Sequence, residues 1–270
     1  MKTPVFFLAF FLAACELSAG TVRHDLKVRL DPANGTLAAE DSITLPRTLA
    51  IRLRRMRGLP ERNNEIVFSL HRGLAPSVLT AGAELKEIPG EGASDGISAR
   101  YSVTLPKGVR TFKIKYAGAI SHPLADTAEN YARGFSETPG LITADGCYLS
   151  GATFWYPEFD AQLAEFRLET DLPEGYDSVA GGDRVSRAVT NGRAVTVWRA
   201  SSPQDEITLT CGKYKEYKLH GKGPDIYAFL READDALAQK YLAAGRRYID
   251  MYADLIGPYP YGKFALVENF

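Results

Sequence analysis

The sequence lacks every motif that would complete a catalytic site by itself. None of its histidines lies in H-E-x-x-H, the spacing that places two imidazoles on one helical face to bind zinc. A nucleophile elbow, a phosphate-binding glycine loop and a dinucleotide fingerprint are also absent. We therefore expect no catalytic residue, no metal ligand and no cofactor within these residues. We interpret the four histidines as structural or solvent-facing: His24, His71, His122 and His220.

The sequence also lacks an excess of charge of either sign. The 32 Lys and Arg residues nearly balance 33 Asp and Glu residues, so the formal net charge is −1. A nucleic-acid partner is not expected, because such proteins usually carry a basic surface. Hydrophobic residues make up 45% of the chain, which excludes a disordered composition and supplies a core for one large domain or two ordinary ones.

Cysteine is scarce, with only three in 270 residues. Cys147 and Cys211 lie far apart in the sequence and form no C-x-x-C, so they do not indicate a zinc site. They could form a disulfide in an oxidising compartment, or remain as free buried thiols. The sequence leaves both alternatives open.

No apolar run is long enough for a transmembrane helix, but the N-terminus has a targeting pattern. Lys2 precedes an apolar stretch over 5–14, which indicates a secretory signal over 1–20. Its end, Leu12-Ala13-Ala14-Cys15, resembles a bacterial lipobox. We therefore expect lipidation of Cys15 and an exported, membrane-anchored protein of the bacterial periplasm or cell envelope. The alternative is an ordinary signal peptide cleaved near Ala19-Gly20.

Short alternating strands separated by turn residues dominate 21–219. Residues 24–30 and 36–45 alternate with period two on either side of a turn cluster, which predicts a hairpin. Asn191-Gly192 is the pair that a two-residue hairpin turn favours, because both central residues take positive φ. We predict one large antiparallel β domain over 21–219.

The pattern changes near residue 221. A strand over 226–230 precedes a helical period over 233–256, and Gly257-Pro258 ends that helix. A further strand is predicted over 263–267. We interpret 221–270 as the incomplete start of a second domain, consisting of a strand, a long helix and a strand.

Three motifs, in this order, are similar to the front part of the aminopeptidase N-like zinc metallopeptidases (peptidase family M1), especially a bacterial lipoprotein-type member. They are Tyr148-Leu149 with Trp155-Tyr156-Pro157-x-Phe159, then Thr208-Leu209-Thr210-Cys211-Gly212-Lys213-Tyr214, then Tyr259-Pro260-Tyr261-Gly262-Lys263-Phe264. The resemblance implies a saddle-like β domain of the β-sandwich type, followed by the truncated start of an α/β catalytic domain.

The resemblance also implies different roles for this fragment and for its full-length parent. Zinc, which activates water beside a glutamate base in this family, would be held in the full-length parent by residues that come later. The parent would cleave a peptide substrate, while this fragment would be inactive without its missing C-terminal catalytic domain. The alternative is a non-catalytic β-rich periplasmic lipoprotein that acts as a binding or scaffold module.

Two segments remain as candidate contact regions. Val267-Glu268-Asn269-Phe270 resembles the amine-binding G-x-M-E-N motif of the family, which would make Glu268 a substrate-binding residue. Its position soon after Lys263 aligns it instead with the preceding strand, so both interpretations stay open. The aromatic segment 154–159 is interpreted as a structural anchor where the β domain meets its neighbour, with substrate binding as the alternative.

Overall fold

The computed structural model describes residues 20–46, 65–90, 96–126, 136–160 and 162–269, and within them the chain is mostly β. A short 3-10 turn spans Gly151–Thr153, and the α-helix α1 spans Asp235–Ile256. The strands are β1 (Val22–Asp31), β2 (Thr36–Thr44), β3 (Glu65–His71), β4 (Leu74–Val78), β5 (Glu84–Glu87), β6 (Ser98–Thr104), β7 (Thr111–Ala119), β8 (Ala125–Asp126), β9 (Ser136–Glu137), β10 (Gly140–Thr143), β11 (Gly146–Leu149), β12 (Ala164–Pro173), β13 (Asp177–Ala180), β14 (Asp183–Thr190), β15 (Arg193–Gln204), β16 (Leu209–Gly212), β17 (Lys215–Leu219), β18 (Asp225–Leu230) and β19 (Lys263–Val267).

A seven-stranded sheet in the order β14-β15-β12-β1-β2-β7-β4 is the largest element. Along β1, buried and exposed residues alternate, because successive side chains point to opposite faces of the sheet. The predicted β1–β2 hairpin is confirmed, and so is the tight turn at Asn191-Gly192, where both residues have positive φ between β14 and β15. One pairing differs from the antiparallel expectation, because β1 runs parallel to β12.

Charges of alternating sign cover the exposed face of this sheet. The register aligns Lys115, Glu40, Lys27 and Glu169 in one row across β7, β2, β1 and β12. Neighbouring charges in such a row have opposite signs and cancel each other. The face can therefore be rich in charged residues while the net charge of the chain stays near zero. Such a face is well solvated and presents no strong field to a charged partner.

The opposite face packs into the core together with smaller sheets. These sheets have the orders β10-β11-β16-β13, β3-β6-β5 and β17-β18-β19, and a separate two-stranded sheet pairs β8 with β9. The largest fully buried side chains include Trp155, Trp198, Tyr116, Phe68 and Phe112. The mostly β fold class with multiple antiparallel sheets is therefore confirmed.

The α-helix α1 packs on the β17–β19 sheet. Asp234 caps its N-terminus by accepting a hydrogen bond from the backbone N–H of Leu237 at 2.8 Å. Gly245 lets the helix approach the strand closely, because a Cβ there would lie 3.0 Å from Ile226 Cγ2. The predicted helix and its flanking strands are confirmed, while the domain boundary near 221 stays a prediction.

Leu255 and Ile256 lie at the exposed end of α1, with 70% and 85% of their surface accessible.

Among the described residues, no helix combines the length and apolarity needed to span a bilayer.

Candidate functional site

The aromatic segment is part of the interior of the β domain. Trp155 is fully buried, and its Nε1–H donates to the carbonyl oxygen of Ile207 at 2.9 Å. Tyr156 is also buried, and its hydroxyl oxygen accepts from the backbone N–H of Ile207 at 3.1 Å. Phe159 packs on Phe68, with 5.8 Å between ring centroids. The segment is buried, as an anchor should be, but its predicted place at the domain boundary is wrong. Its partners Ile207 and Phe68 both belong to the β domain.

Lys263, at the start of β19, attaches the C-terminal sheet to the large one. Its Nζ donates to the carbonyl oxygens of Ala180 at 2.8 Å and Gly182 at 2.6 Å. It also lies 5.0 Å from the Trp198 ring centroid, which is a cation–π distance. Burial lowers the pKa of Lys263 to about 8, partly offset by the nearby charge of Asp183. This lysine therefore acts as a structural clamp between β19 and the β13–β14 turn.

Arg184 forms a second clamp between the same sheets. Its guanidinium donates two 2.6 Å hydrogen bonds to the carboxylate of Glu216 in β17, a bidentate geometry that fixes orientation. The same group lies 5.9 Å from the centroid of Trp198 and 5.7 Å from that of Tyr227. These bonds to Glu216 are the main cause that raises the pKa of Arg184. We call Lys263, Arg184, Glu216, Trp198 and Tyr227 the junction cluster.

Glu268 follows β19 directly and is exposed. Its backbone N–H donates to the carbonyl oxygen of Phe229 at 2.9 Å, so it extends the pairing with β18. One carboxylate oxygen accepts from the backbone N–H of Arg231 at 2.6 Å. Its role as a substrate contact stays a prediction. Cys15 lies outside the described residues.

Two histidines form a pair that the sequence spacing did not reveal. The Nε2 atoms of His71 and His122 lie 2.8 Å apart, and the backbone N–H of Gly73 donates to His71 Nδ1 at 2.9 Å. His71 must therefore carry its proton on Nε2 and donate it to His122. Burial, and then the charge of His122, lower the pKa of His71 to about 4. Both Nε2 atoms are used in this bond, so the pair is a hydrogen-bonded contact.

His24 is the other buried histidine, and it also has a structural partner. Its Nδ1 lies 2.7 Å from Asp41 Oδ2, and both side chains are almost fully buried. Within the parts of the chain that the structure describes, no group of three or more His, Cys, Asp or Glu side chains could hold a metal ion. The described residues therefore do not fit a catalytic metal.

Comparison with known proteins finds likeness at the level of structure. No protein-family model matches the chain, and no curated protein matches it either. The M1 zinc metallopeptidase from Deinococcus radiodurans is similar with a TM-score of 0.63 and 17% identity, over 92% of this chain and 56% of that chain. A mutant of that enzyme bound to a Tyr-Ser-Ala substrate gives a TM-score of 0.58 and 16% identity, over 92% and 55%.

A two-domain M1 zinc metallopeptidase mutant bound to L-arginine gives a TM-score of 0.60 and 16% identity, over 92% of this chain and 56% of that chain. The chain has the fold of the N-terminal portion of M1 zinc metallopeptidases. It spans little more than half the length of these M1 structures. At 16–17% sequence identity, this likeness shows that the fold is shared.

The sequence resemblance did not reveal what the M1-like motif residues do in this fold. Lys263 stood in the quoted motif, but its partners Ala180 and Gly182 lie in a turn far away in the sequence. Arg184 carried no signal at all, because its position in β14 shows no alternation of buried and exposed residues. The structural role of a lysine or arginine beside a glycine turn can be recognised only once the strand register is known.

Proposed function

We propose that this chain is the non-catalytic N-terminal portion of an exported zinc metallopeptidase of the aminopeptidase type. The observation that carries the proposal is the M1 fold, which covers 92% of this chain but only 56% of the first solved relative. Within the described residues, no group of three or more His, Cys, Asp or Glu side chains could hold a metal ion. Zinc and peptide hydrolysis then belong to the full-length parent.

In this proposal the β domain supports a catalytic domain that continues from β18, α1 and β19. Two features favour such a partner. Within the described residues β19 pairs only with β18, which leaves one strand edge open. The outer face of α1 exposes Tyr248, Tyr252 and Leu255. The junction cluster would hold these elements in a fixed orientation on the β domain.

The reading frame beyond residue 270 tests this proposal. An H-E-x-x-H motif followed by a further glutamate would support it, because these residues supply the ligands and the base of a zinc peptidase. A reading frame without that motif would favour the alternative, a β-rich lipoprotein that acts as a binding or scaffold module. The two functions are thus distinguished without any measurement on this chain.

The proposal includes export and a lipid anchor on Cys15. The apolar stretch 5–14 and the sequence Leu12-Ala13-Ala14-Cys15 support it. Each buried methylene of an acyl chain contributes about 0.8 kcal/mol of membrane affinity, and stable anchoring takes more than one chain. The anchor would hold the protein at a bacterial membrane facing the periplasm.

Replacing Cys15 with alanine should therefore abolish membrane attachment. In a bacterial host, we expect the unaltered protein in the detergent-soluble membrane fraction and the Cys15→Ala variant either unprocessed or released. Ser18→Ala is the control and should leave fractionation unchanged. Mass spectrometry of the unaltered protein should find an acylated Cys15 at the N-terminus. An unmodified N-terminus at Gly20 or Thr21 would contradict the proposal.

A further inference from the structure

The two described cysteines face each other across a strand pair. Strands β11 and β16 are antiparallel, and their register places Cys147 directly opposite Cys211. Directly opposed residues in such a pair have Cα atoms about 4.5 or about 5.5 Å apart, depending on the hydrogen-bond pattern. Disulfides need Cα separations of about 4.4–6.8 Å. The backbone therefore places the two residues within bridging distance without any rearrangement.

The surroundings isolate this pair from competing reactions. Both residues are completely buried and are free thiols in the structure. Burial, and then the neighbouring Cys211 thiol, raise the pKa of Cys147 well above its usual value. The pair belongs to the main hydrophobic core, next to Leu149 and Leu209. With no metal-ligand group around them in the described part of the chain, the two sulfurs have each other as their reaction partner.

We infer that Cys147 and Cys211 are a disulfide-forming site, which closes when the chain folds in an oxidising compartment. The oxidant is a disulfide, either a small one such as oxidised glutathione or the active disulfide of a protein oxidant. One cysteine thiolate attacks it and forms a mixed disulfide, and the second thiolate then displaces the oxidant sulfur. The two cysteines lose two protons and two electrons in total, and the oxidant becomes two thiols.

The bond should form before the core closes. In the folded chain both thiols are buried and inaccessible to an oxidant, and the raised pKa of Cys147 leaves little of its thiolate to attack. During folding, β11 and β16 can meet while both thiols are still accessible. Oxidation is therefore expected during refolding, and the folded reduced chain should resist the same oxidant.

The disulfide would join two neighbouring strands of the β domain that are far apart in the sequence. The closed loop from 147 to 211 contains β12, β13, β14 and β15. A cross-link over a loop of this length restricts the unfolded chain much more than the folded one. The oxidised protein should therefore be more resistant to heat than the reduced protein, with unchanged secondary structure.

The test uses the full chain with Cys15→Ser, which leaves Cys147 and Cys211 as the only thiols. The protein is unfolded in urea and refolded with a mixture of reduced and oxidised glutathione. We expect no free thiol, a mass lower by two hydrogen atoms, and a single Cys147–Cys211 cross-linked peptide after digestion. The Tm should exceed that of the reduced protein by roughly 5–15 °C.

A variant that also carries Cys211→Ala is the matched control. Its Tm should be the same with and without the oxidant, whatever the substitution itself does to stability. Two free thiols in the Cys15→Ser protein after oxidative refolding would overturn the inference. Oxidation of the folded protein as fast as during refolding would overturn the order of events. Neither outcome depends on the peptidase proposal, because the readouts are thiols, mass and Tm.

Discussion

Replacing Trp155 with alanine should lower the free energy of unfolding by about 3–5 kcal/mol, the usual cost of removing a large buried aromatic side chain. The indole is completely buried in the core, and its Nε1–H donates a hydrogen bond to the carbonyl oxygen of Ile207. The substitution leaves both a cavity and a buried acceptor without its partner. Urea denaturation followed by far-UV circular dichroism measures the change.

Two further variants separate the causes of this loss. Trp155→Phe keeps most of the volume but removes the donor, so it should cost less than Trp155→Ala. Tyr252→Ala is the control, because 53% of Tyr252 is exposed, and the change should stay within about 0.5 kcal/mol. Equal stability of Trp155→Ala and the unaltered protein would show that the segment is not an anchor. That result would favour the alternative in which the aromatic segment binds substrate.

Replacing Lys263 with methionine should destabilise the chain by about 1–3 kcal/mol, the cost of leaving buried acceptors unpaired. The carbonyl oxygens of Ala180 and Gly182 lose their donor, while methionine keeps the length of the side chain. Hydrogen exchange should accelerate first in β18 and β19, because the junction cluster holds that sheet in place. Lys107→Met, on an exposed turn, is the control and should leave exchange unchanged.

The stability difference between the unaltered protein and Lys263→Met should depend on pH. Burial lowers the pKa of Lys263 to about 8, below the usual value of 10.5. Between these values the unfolded chain binds more protons than the folded chain, so this lysine contributes stability that increases as pH rises from about 8 towards 10.5. The variant lacks the group and this contribution. A difference in stability that stays constant over this pH window would show that the lysine is not desolvated.

Part of the fold was predictable from the sequence because hydrophobic and polar residues alternate along several strands. Strands β1, β2, β7 and β12 each bury one face and expose the other, so their hydrophobic residues recur with period two. Strand β14 escaped prediction because nearly all its residues are exposed and no buried face produces the pattern.

The contacts that organise the candidate site were not predictable, because each depends on register between distant strands. His71 and His122 are 51 positions apart, and His24 and Asp41 are 17 apart, so neither pair shows a local spacing. The parallel pairing of β1 with β12 likewise has no signature in either strand alone. The family motifs predicted the fold, but the partners of Lys263 became visible only in three dimensions.

Zinc content and aminopeptidase activity, measured side by side for the 270-residue chain and for the product of a longer reading frame, test the central claim most directly. The claim predicts no stoichiometric zinc and no hydrolysis of aminoacyl substrates for the 270-residue chain. It predicts one zinc ion and peptide hydrolysis for the longer product. One tightly bound zinc ion in the 270-residue chain, lost on changing any one of its four histidines, would contradict the account.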